Sequence, residues 1–209
     1  VDERFLRVVP QIGYLLGPKL IELGFQAREE LPLVSLAGPY LDELSALTGD
    51  TVHLGIREGD EVLYLLKNPG RNGPEMRSRV GHRMPLARTG IGKALMLDDA
   101  PQDWQRLYDI SLPAGGKSQF WPQHPQQSWE QLEQRMTEYV AGGYAFDLED
   151  NEPSIRCVAA PIRDASKGIV AAISIASTVP YMPLEKMAEL IPLIKGVTAR
   201  LSAELGLKV

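Results

Sequence analysis

The sequence is poor in the residues that build disulfides and metal centres, because its 209 residues include one cysteine and three histidines. A single cysteine, Cys157, excludes an intramolecular disulfide and fits a reducing compartment. No apolar run approaches the ~18 residues of a membrane span, and no secretory signal opens the chain. We therefore predict a cytoplasmic protein that makes no contact with a membrane.

Basic residues are too few for a surface that binds nucleic acid. The chain carries 22 lysines and arginines against 27 aspartates and glutamates, a formal net charge of −5. A domain that binds phosphates usually has a basic face, so this chain is a poor DNA binder by itself. Because the sequence begins on Val1 rather than Met, we expect it to be part of a longer protein.

The spacing of apolar residues predicts five helices and six strands. Steps of three and four residues, with caps, predict helices over residues 18–27, 36–47, 89–97, 128–142 and 184–205. Pro192 is expected to kink or split the last helix. Alternation and short apolar runs predict strands over 51–56, 62–66, 76–80, 144–148, 155–162 and 169–176. This order predicts an α+β fold, an antiparallel sheet flanked by helices. Residues 109–127 are predicted to form a long loop of the kind that makes lids.

The segment TGIGKAL, residues 89–95, resembles a phosphate loop but fails its pattern. The Walker pattern needs glycine and a hydroxyl residue where this chain has Ala87 and Ala94, and the dinucleotide pattern needs glycine at Leu95. Two glycines at a helix start still leave backbone N–H groups exposed at the positive end of the helix dipole. The segment is therefore either a tight turn into a helix or a site for an anion such as a carboxylate.

The remaining chemical candidates are weaker. His53, His82 and His124 have no metal-ligand spacing, so we predict no metal site. Cys157 lies in an apolar strand and is expected to line a pocket or pack in the core rather than act as a nucleophile. Four carboxylates between residues 147 and 152 suggest a solvated loop. Asp147, at the end of a predicted strand, is alternatively placed to accept hydrogen bonds from ligand hydroxyls.

Three stretches of the sequence together resemble the IclR family of bacterial transcription factors. They are LGPKLIELG at 16–24, GHRMPLARTGIGKALM at 81–96, and GGYAFDLEDNEPSIRCVAAPIRDASKGIVAAISIA at 142–176. The resemblance implies a GAF-like effector-binding domain at 30–209, preceded at 1–29 by the end of a winged helix-turn-helix and a linker helix. It also implies a homodimer or homotetramer that contacts DNA through a domain not present in this chain.

The resemblance further implies a site for a small organic acid. Backbone N–H groups of Gly90 and Ile91 would hold its carboxylate, with Thr89 and Lys93 beside it. Asp147 would bind its hydroxyls, and Cys157 and Ser174 would line the pocket. The apolar walls would be Met76, Met84, Ile155 and Ala159. Departures from the family pattern include Ala176, where a second serine is common, together with Asp150 and Ser154.

Two classes of function follow from the sequence. The first is a ligand-sensing domain of an IclR-type regulator, which uses no cofactor and performs no reaction. The alternative is a small cytoplasmic metabolic enzyme that uses Asp147 as a base or Cys157 as a nucleophile. A redox or metal sensor built on Cys157 is a third candidate, but it lacks a neighbouring histidine.

Overall fold

Most of the chain is built around one antiparallel sheet of six strands. The structure is a computed structural model that describes residues 3–29, 32–73, 75–112 and 127–207. It divides into two compact units, residues 1–38 and 39–209. The first unit contains a hairpin of strands β1 (Leu6–Val9) and β2 (Gly13–Leu16), followed by helix α1 (Pro18–Glu29). Helix α2 (Pro32–Thr48) begins in the first unit and ends in the second.

The six-stranded sheet lies in the second unit. Its strands are β3 (Thr51–Glu58), β4 (Glu61–Asn68), β5 (Arg83–Pro85), β6 (Ala145–Leu148), β7 (Ile155–Arg163) and β8 (Ile169–Thr178). Their order across the sheet is β5-β4-β3-β8-β7-β6, and every neighbouring pair is antiparallel. Strands β3 and β8 join the two halves of the sheet. Residues distant in sequence therefore meet at its centre.

Helices cover both faces of this sheet. They are α3 (Gly90–Leu95), α4 (Pro101–Ser111), α5 (Trp129–Gly142) and α6 (Leu184–Glu204). Helix α3 packs against β7 and β8 on the face that carries Cys157 and Ala159, and α6 also contacts both strands. Alternate residues of a strand point to opposite faces, so Val158 and Ala160 point away from α3. The α+β fold with a helix-flanked antiparallel sheet is confirmed.

The predicted capping pattern of α5 is present in full. The Ser128 hydroxyl accepts a hydrogen bond from the Gln131 N–H, and the Gln131 side chain accepts one from the Ser128 N–H. Gly143 ends the helix with a left-handed backbone, φ +67°. Glycine adopts that conformation without the steric cost of a Cβ atom, which explains the stop at this position.

The prediction of a strand over residues 76–80 is wrong. The strand that pairs with β4 is β5, three residues further on, with Val62 opposite Met84. In the 76–80 segment two backbone carbonyls instead accept hydrogen bonds from the Lys67 ammonium, Met76 O at 2.8 Å and Ser78 O at 3.0 Å. A side chain therefore satisfies carbonyl groups that a strand would have used for its ladder.

The structure also bears on the remaining helices and on the predicted long loop. Helix α4, with Pro101 in its first turn, was not expected, and it takes residues 109–111 from the predicted loop. Residues 113–126 lie outside the described part of the chain, so the lid interpretation stays a prediction. Helix α6 is not split at Pro192, and this residue is exposed.

Candidate functional site

A cavity of about 620 Å³ lies between the start of α3 and the sheet. Its size falls in the range of pockets that hold small organic ligands. Ten of the predicted site residues line it: Met76, Met84, Thr89, Gly90, Ile91, Asp147, Ile155, Cys157, Ser174 and Ala176. Ala159 does not line it and is fully buried in the core instead.

The register of the sheet explains why residues from four strands share this cavity. Asp147 of β6 lies opposite Cys157 of β7, and Cys157 lies opposite Ala176 of β8. Two residues earlier in β8, Ser174 lies opposite His53 of β3. Directly paired residues and residues two apart point to the same face of a sheet. The five side chains therefore form one continuous surface.

The start of α3 is pressed against this surface. Thr89 caps the helix, since its hydroxyl accepts a hydrogen bond from the Gly92 N–H at 3.0 Å. A Cβ atom on Gly90 would lie 2.4 Å from the Cys157 sulfur, and one on Gly92 would lie 2.1 Å from the Leu86 carbonyl oxygen. Both glycines are required because no larger residue permits this approach. The close packing brings the first backbone N–H groups of α3 to the wall of the cavity.

Lys93 takes a different position from the one expected beside the carboxylate. Its side chain is fully buried below the cavity, and the ammonium donates to the Asp150 carboxylate at 2.5 Å and to Phe146 O at 3.1 Å. Arg135 contacts the same carboxylate at 3.1 Å. Lys93 therefore holds the turn after β6 in place through Asp150 and Phe146. It does not line the cavity.

Asp150 holds that turn together through several elements. Its backbone carbonyl accepts two hydrogen bonds from the Arg88 guanidinium, at 2.9 and 2.7 Å. Its N–H donates to the Asp147 carboxylate at 2.8 Å. Burial opposes the ionisation of Asp150, but Lys93 and Arg135 outweigh it and hold its pKa below the ordinary value. The predicted solvated acidic loop is thus a buried network at its first and fourth positions, Asp147 and Asp150.

Burial has the opposite result at two cavity residues. It raises the pKa of Asp147 to about 7, against the favourable charge of Lys93. It also raises the pKa of the Cys157 thiol to about 12. A nucleophilic cysteine needs a lowered pKa and an exposed thiolate, so Cys157 lacks the properties of a catalytic thiol.

Ten further residues line the cavity that were not among the predicted ligand-binding residues. They are His53, Tyr64, Arg77, Ser78, His82, Pro85, Arg88, Ser111, Asn151 and Glu152. The alternation of Val52, Leu54 and Ile56 places His53 on the opposite face of β3, and that this second face is also buried follows from tertiary packing rather than from the alternation. Nothing local in the sequence connects His53 to Ser78, whose hydroxyl lies 2.7 Å from His53 Nε2.

The part of the chain that the structure describes contains no group of three histidine, cysteine or acidic side chains able to hold a metal ion. Among the same residues, no helix is long and apolar enough to cross a membrane.

The family model of the bacterial transcriptional regulator IclR C-terminal domain matches residues 25–203. The chain belongs to the IclR family. Among its relatives, the HTH-type transcriptional regulator KdgR of Escherichia coli is 28% identical, over 97% of this chain and 79% of KdgR. The HTH-type transcriptional regulator XynR of the same organism is 31% identical, over 94% of this chain and 77% of XynR.

Solved IclR-family structures share this architecture. IclR of Thermotoga maritima superimposes with a TM-score of 0.80 at 28% identity, covering 98% of this chain and 81% of that protein. The C-terminal domain of E. coli KdgR gives 0.68 at 26% identity, covering 84% and 99%. The relatives are transcriptional regulators and repressors, so the IclR assignment is confirmed and the metabolic-enzyme alternative is wrong.

Proposed function

We propose that this IclR-family domain binds a small organic acid in its cavity and thereby controls the DNA-binding state of the full-length regulator. The observation that carries the proposal is the junction of Gly90 with Cys157, which places the first N–H groups of α3 at the cavity wall. Such groups favour an anion. Arg77 and Arg88 add positive charge to the same cavity.

The side of the cavity that would bind the ligand hydroxyls is formed by the sheet. Asp147, Cys157 and Ser174 provide hydrogen-bonding groups there, while Met84 and Ile155 provide apolar contacts. Because burial raises the pKa of Asp147 to about 7, its carboxyl group is partly neutral at neutral pH and repels a bound carboxylate less than an ordinary aspartate would. Ala176 offers no hydroxyl, so the polar pattern differs from that of relatives with serine at this position.

Control of DNA binding follows from a population shift. An effector that binds one arrangement of the regulator more tightly displaces the equilibrium toward that arrangement. We assign residues 1–29 to the end of a winged domain and a linker helix, and 30–209 to the effector domain. The β1–β2 hairpin followed by α1 supports this division. DNA contact belongs to a domain not present in this chain.

We also propose that the regulator is cytoplasmic and forms a homodimer or a homotetramer. Large apolar side chains in the first unit support this assignment, since Tyr14, Ile21 and Phe25 are each more than half exposed. Contiguous exposed apolar surface commonly marks a contact with another chain. Light scattering on the purified protein tests it, and a monomer at micromolar concentration contradicts it.

Thermal unfolding in the presence of carboxylic acids and their uncharged amides tests the ligand class. We expect at least one acid, and not its amide, to raise the melting temperature. Gly90→Ala should abolish the shift, because its Cβ atom would collide with the Cys157 sulfur. Gly196→Ala is the matched control, since a Cβ atom there meets open space.

Asp147→Asn provides a second variant of nearly unchanged shape, and it should weaken hydroxy acids more than plain acids. Failure of every acid to bind contradicts the ligand class. The DNA step requires the full-length regulator and its own promoter DNA. An acid that binds the domain but leaves the DNA affinity of the full-length protein unchanged contradicts the proposed control.

A further inference from the structure

One part of the cavity wall is a segment without regular structure, residues 75–80, which we call the strap. It lies between β4 and β5, and none of the helices and strands of the described chain includes it. Residues 76–78 of the strap line the cavity. The side chains of Glu75 and Arg79, in contrast, are more than half exposed. The strap therefore has one side on the cavity and the other in solvent.

A glycine and a fixed point lie at each end of the strap. Gly73 has φ +73° and Gly81 has φ +83°, a left-handed backbone that glycine adopts without steric cost. The Asn72 N–H donates to Gly49 O at 3.0 Å, and the Gly81 N–H donates to Tyr64 O at 2.8 Å. Small residues next to fixed backbone are the usual positions at which a segment turns.

The ammonium of Lys67, on β4, holds the strap from the side of the sheet. It donates to Met76 O at 2.8 Å and to Ser78 O at 3.0 Å, and it lies 3.8 Å from the carboxylate of Glu75. These three partners all belong to the strap. The Lys67 side chain is only 8% exposed, and an ammonium has three donors, so its bonding capacity is directed at this one segment.

A second polar contact holds the strap against the sheet. Nε2 of His53 lies 2.7 Å from the hydroxyl of Ser78. Water can replace the partners of both contacts when the strap moves away, and a hydrogen bond that water replaces contributes little net free energy. The buried apolar core of the described chain includes no residue of the strap. The strap can therefore leave the sheet without unpacking the core.

We propose that the strap opens and closes the cavity on the side of His53. The strap turns about Gly73 and Gly81, and Lys67 is the latch that holds it closed. Opening removes residues 76–78 from the wall and gives a small molecule a way into the cavity. That this molecule is the effector rests on the proposed function, whereas the movement itself is measured without a ligand.

Acetylation of the wild-type protein by sulfosuccinimidyl acetate, followed residue by residue by mass spectrometry, tests the movement. Lys67 should react only while the strap is open. Lys167, which is exposed, gives the rate of a free amine, and Lys93, which is fully buried, gives the rate set by unfolding of the core. Because local opening is cheaper than global unfolding, the Lys67 rate should lie at least about tenfold from both references.

Either limit of that measurement overturns the proposal. A Lys67 rate within about tenfold of the Lys167 rate would show that the strap does not stay closed. A rate within about tenfold of the Lys93 rate would show that the strap opens only when the whole domain unfolds.

Gly81→Ala tests the turning point. Alanine disfavours the left-handed backbone of the closed strap, so acetylation of Lys67 should rise at least about fivefold. Gly59→Ala is the matched control, because Gly59 has φ +65° and a Cβ atom at either glycine meets nothing within 4 Å. It should leave the Lys67 rate within about twofold. An equal rise in both variants, or an equal rise at Lys93, would overturn the role of Gly81.

Lys67→Met tests the latch through cleavage of the strap by trypsin. Cleavage after Arg77 and Arg79 should become about tenfold faster, since it follows the open population. Lys67→Arg, which keeps the donors, should restore part of the resistance. Lys195→Met is the matched control, because Lys195 also donates to a backbone carbonyl, Gly142 O at 2.6 Å. Unchanged cleavage in Lys67→Met, or the same increase in Lys195→Met, would overturn the latch.

The thiol of Cys157, which lines the cavity, tests whether opening admits a small molecule. Iodoacetamide should label it at least about threefold faster in Lys67→Met than in wild type. The charges that act on this thiol are those of Asp147 and Lys93, so the variant changes access to the thiol and not its reactivity. A smaller change would show that the strap is not an entrance. That result would leave the proposed function standing, because acid binding is measured separately.

Discussion

The ammonium of Lys93 lies 2.5 Å from the carboxylate of Asp150, and both groups are buried beneath the candidate cavity. This ion pair joins α3, which carries the predicted carboxylate site, to the turn that follows β6, the strand of Asp147. The two parts of the site are therefore connected by a charge pair that no bound ligand needs to touch.

Lys93→Met should reduce the free energy of unfolding by about 3 kcal/mol, because it leaves the buried Asp150 carboxylate with one cation fewer. Urea denaturation measures the loss. Arg135→Met removes the other cation from the same carboxylate, but Arg135 is partly exposed, so its loss should cost about 1 kcal/mol or less. Adding Asp150→Asn to Lys93→Met should recover much of the stability. Equal losses in the two single variants would contradict the central role of Lys93.

The stability contributed by Asp147 should fall as pH rises from about 4 to about 7. Burial raises its pKa to about 7 in the folded protein, against an ordinary value of 3.8. The folded state therefore binds more protons than the unfolded state in this window, and stability decreases with pH until the folded pKa is passed. The difference in unfolding free energy between wild type and Asp147→Asn, measured from pH 4.5 to pH 8, reports the effect. A difference that does not change with pH would contradict the raised pKa.

Gly92→Ala should cost about 3 kcal/mol of unfolding free energy, because its Cβ atom would lie 2.1 Å from the backbone carbonyl oxygen of Leu86. Backbone cannot rotate away as a side chain can. Gly196→Ala, in an open position of α6, should instead stabilise the protein by up to about 1 kcal/mol. Thermal and urea unfolding distinguish the two, and similar values for both would show that α3 can move off the Leu86 backbone.

The Cys157 thiol should react with iodoacetamide far more slowly in the folded protein than in urea. Burial raises its pKa to about 12, which reduces the thiolate fraction at pH 8 by about a thousandfold relative to an exposed thiol. Mass spectrometry of timed samples measures the rate. Labelling at the rate of a free thiol would contradict the burial and reopen a reactive role for this residue.

The sequence predicted those features that depend on local spacing. The α5 cap at Ser128, the β3–β4 hairpin with its Gly59 turn, and α3 after Thr89 follow from residues within a few positions of each other. The strand over 76–80 failed because its alternation of apolar and charged residues resembles a strand, while Lys67 takes two of its carbonyls. Helix α4 was missed because only its Pro101 start and two buried residues, Trp104 and Leu107, mark it.

Sequence alone predicted the fold class, the IclR resemblance and ten of the twenty cavity residues, because these follow from local pattern and motif. Only the tertiary structure decided how they are used. The sheet register set Ser174 opposite His53, the packing of α3 buried Lys93 against Asp150, and the path of residues 76–78 brought Ser78 to His53. Each of these contacts joins residues at least 25 positions apart. Pairings of that range depend on how strands and helices pack, and no local spacing in the sequence records them.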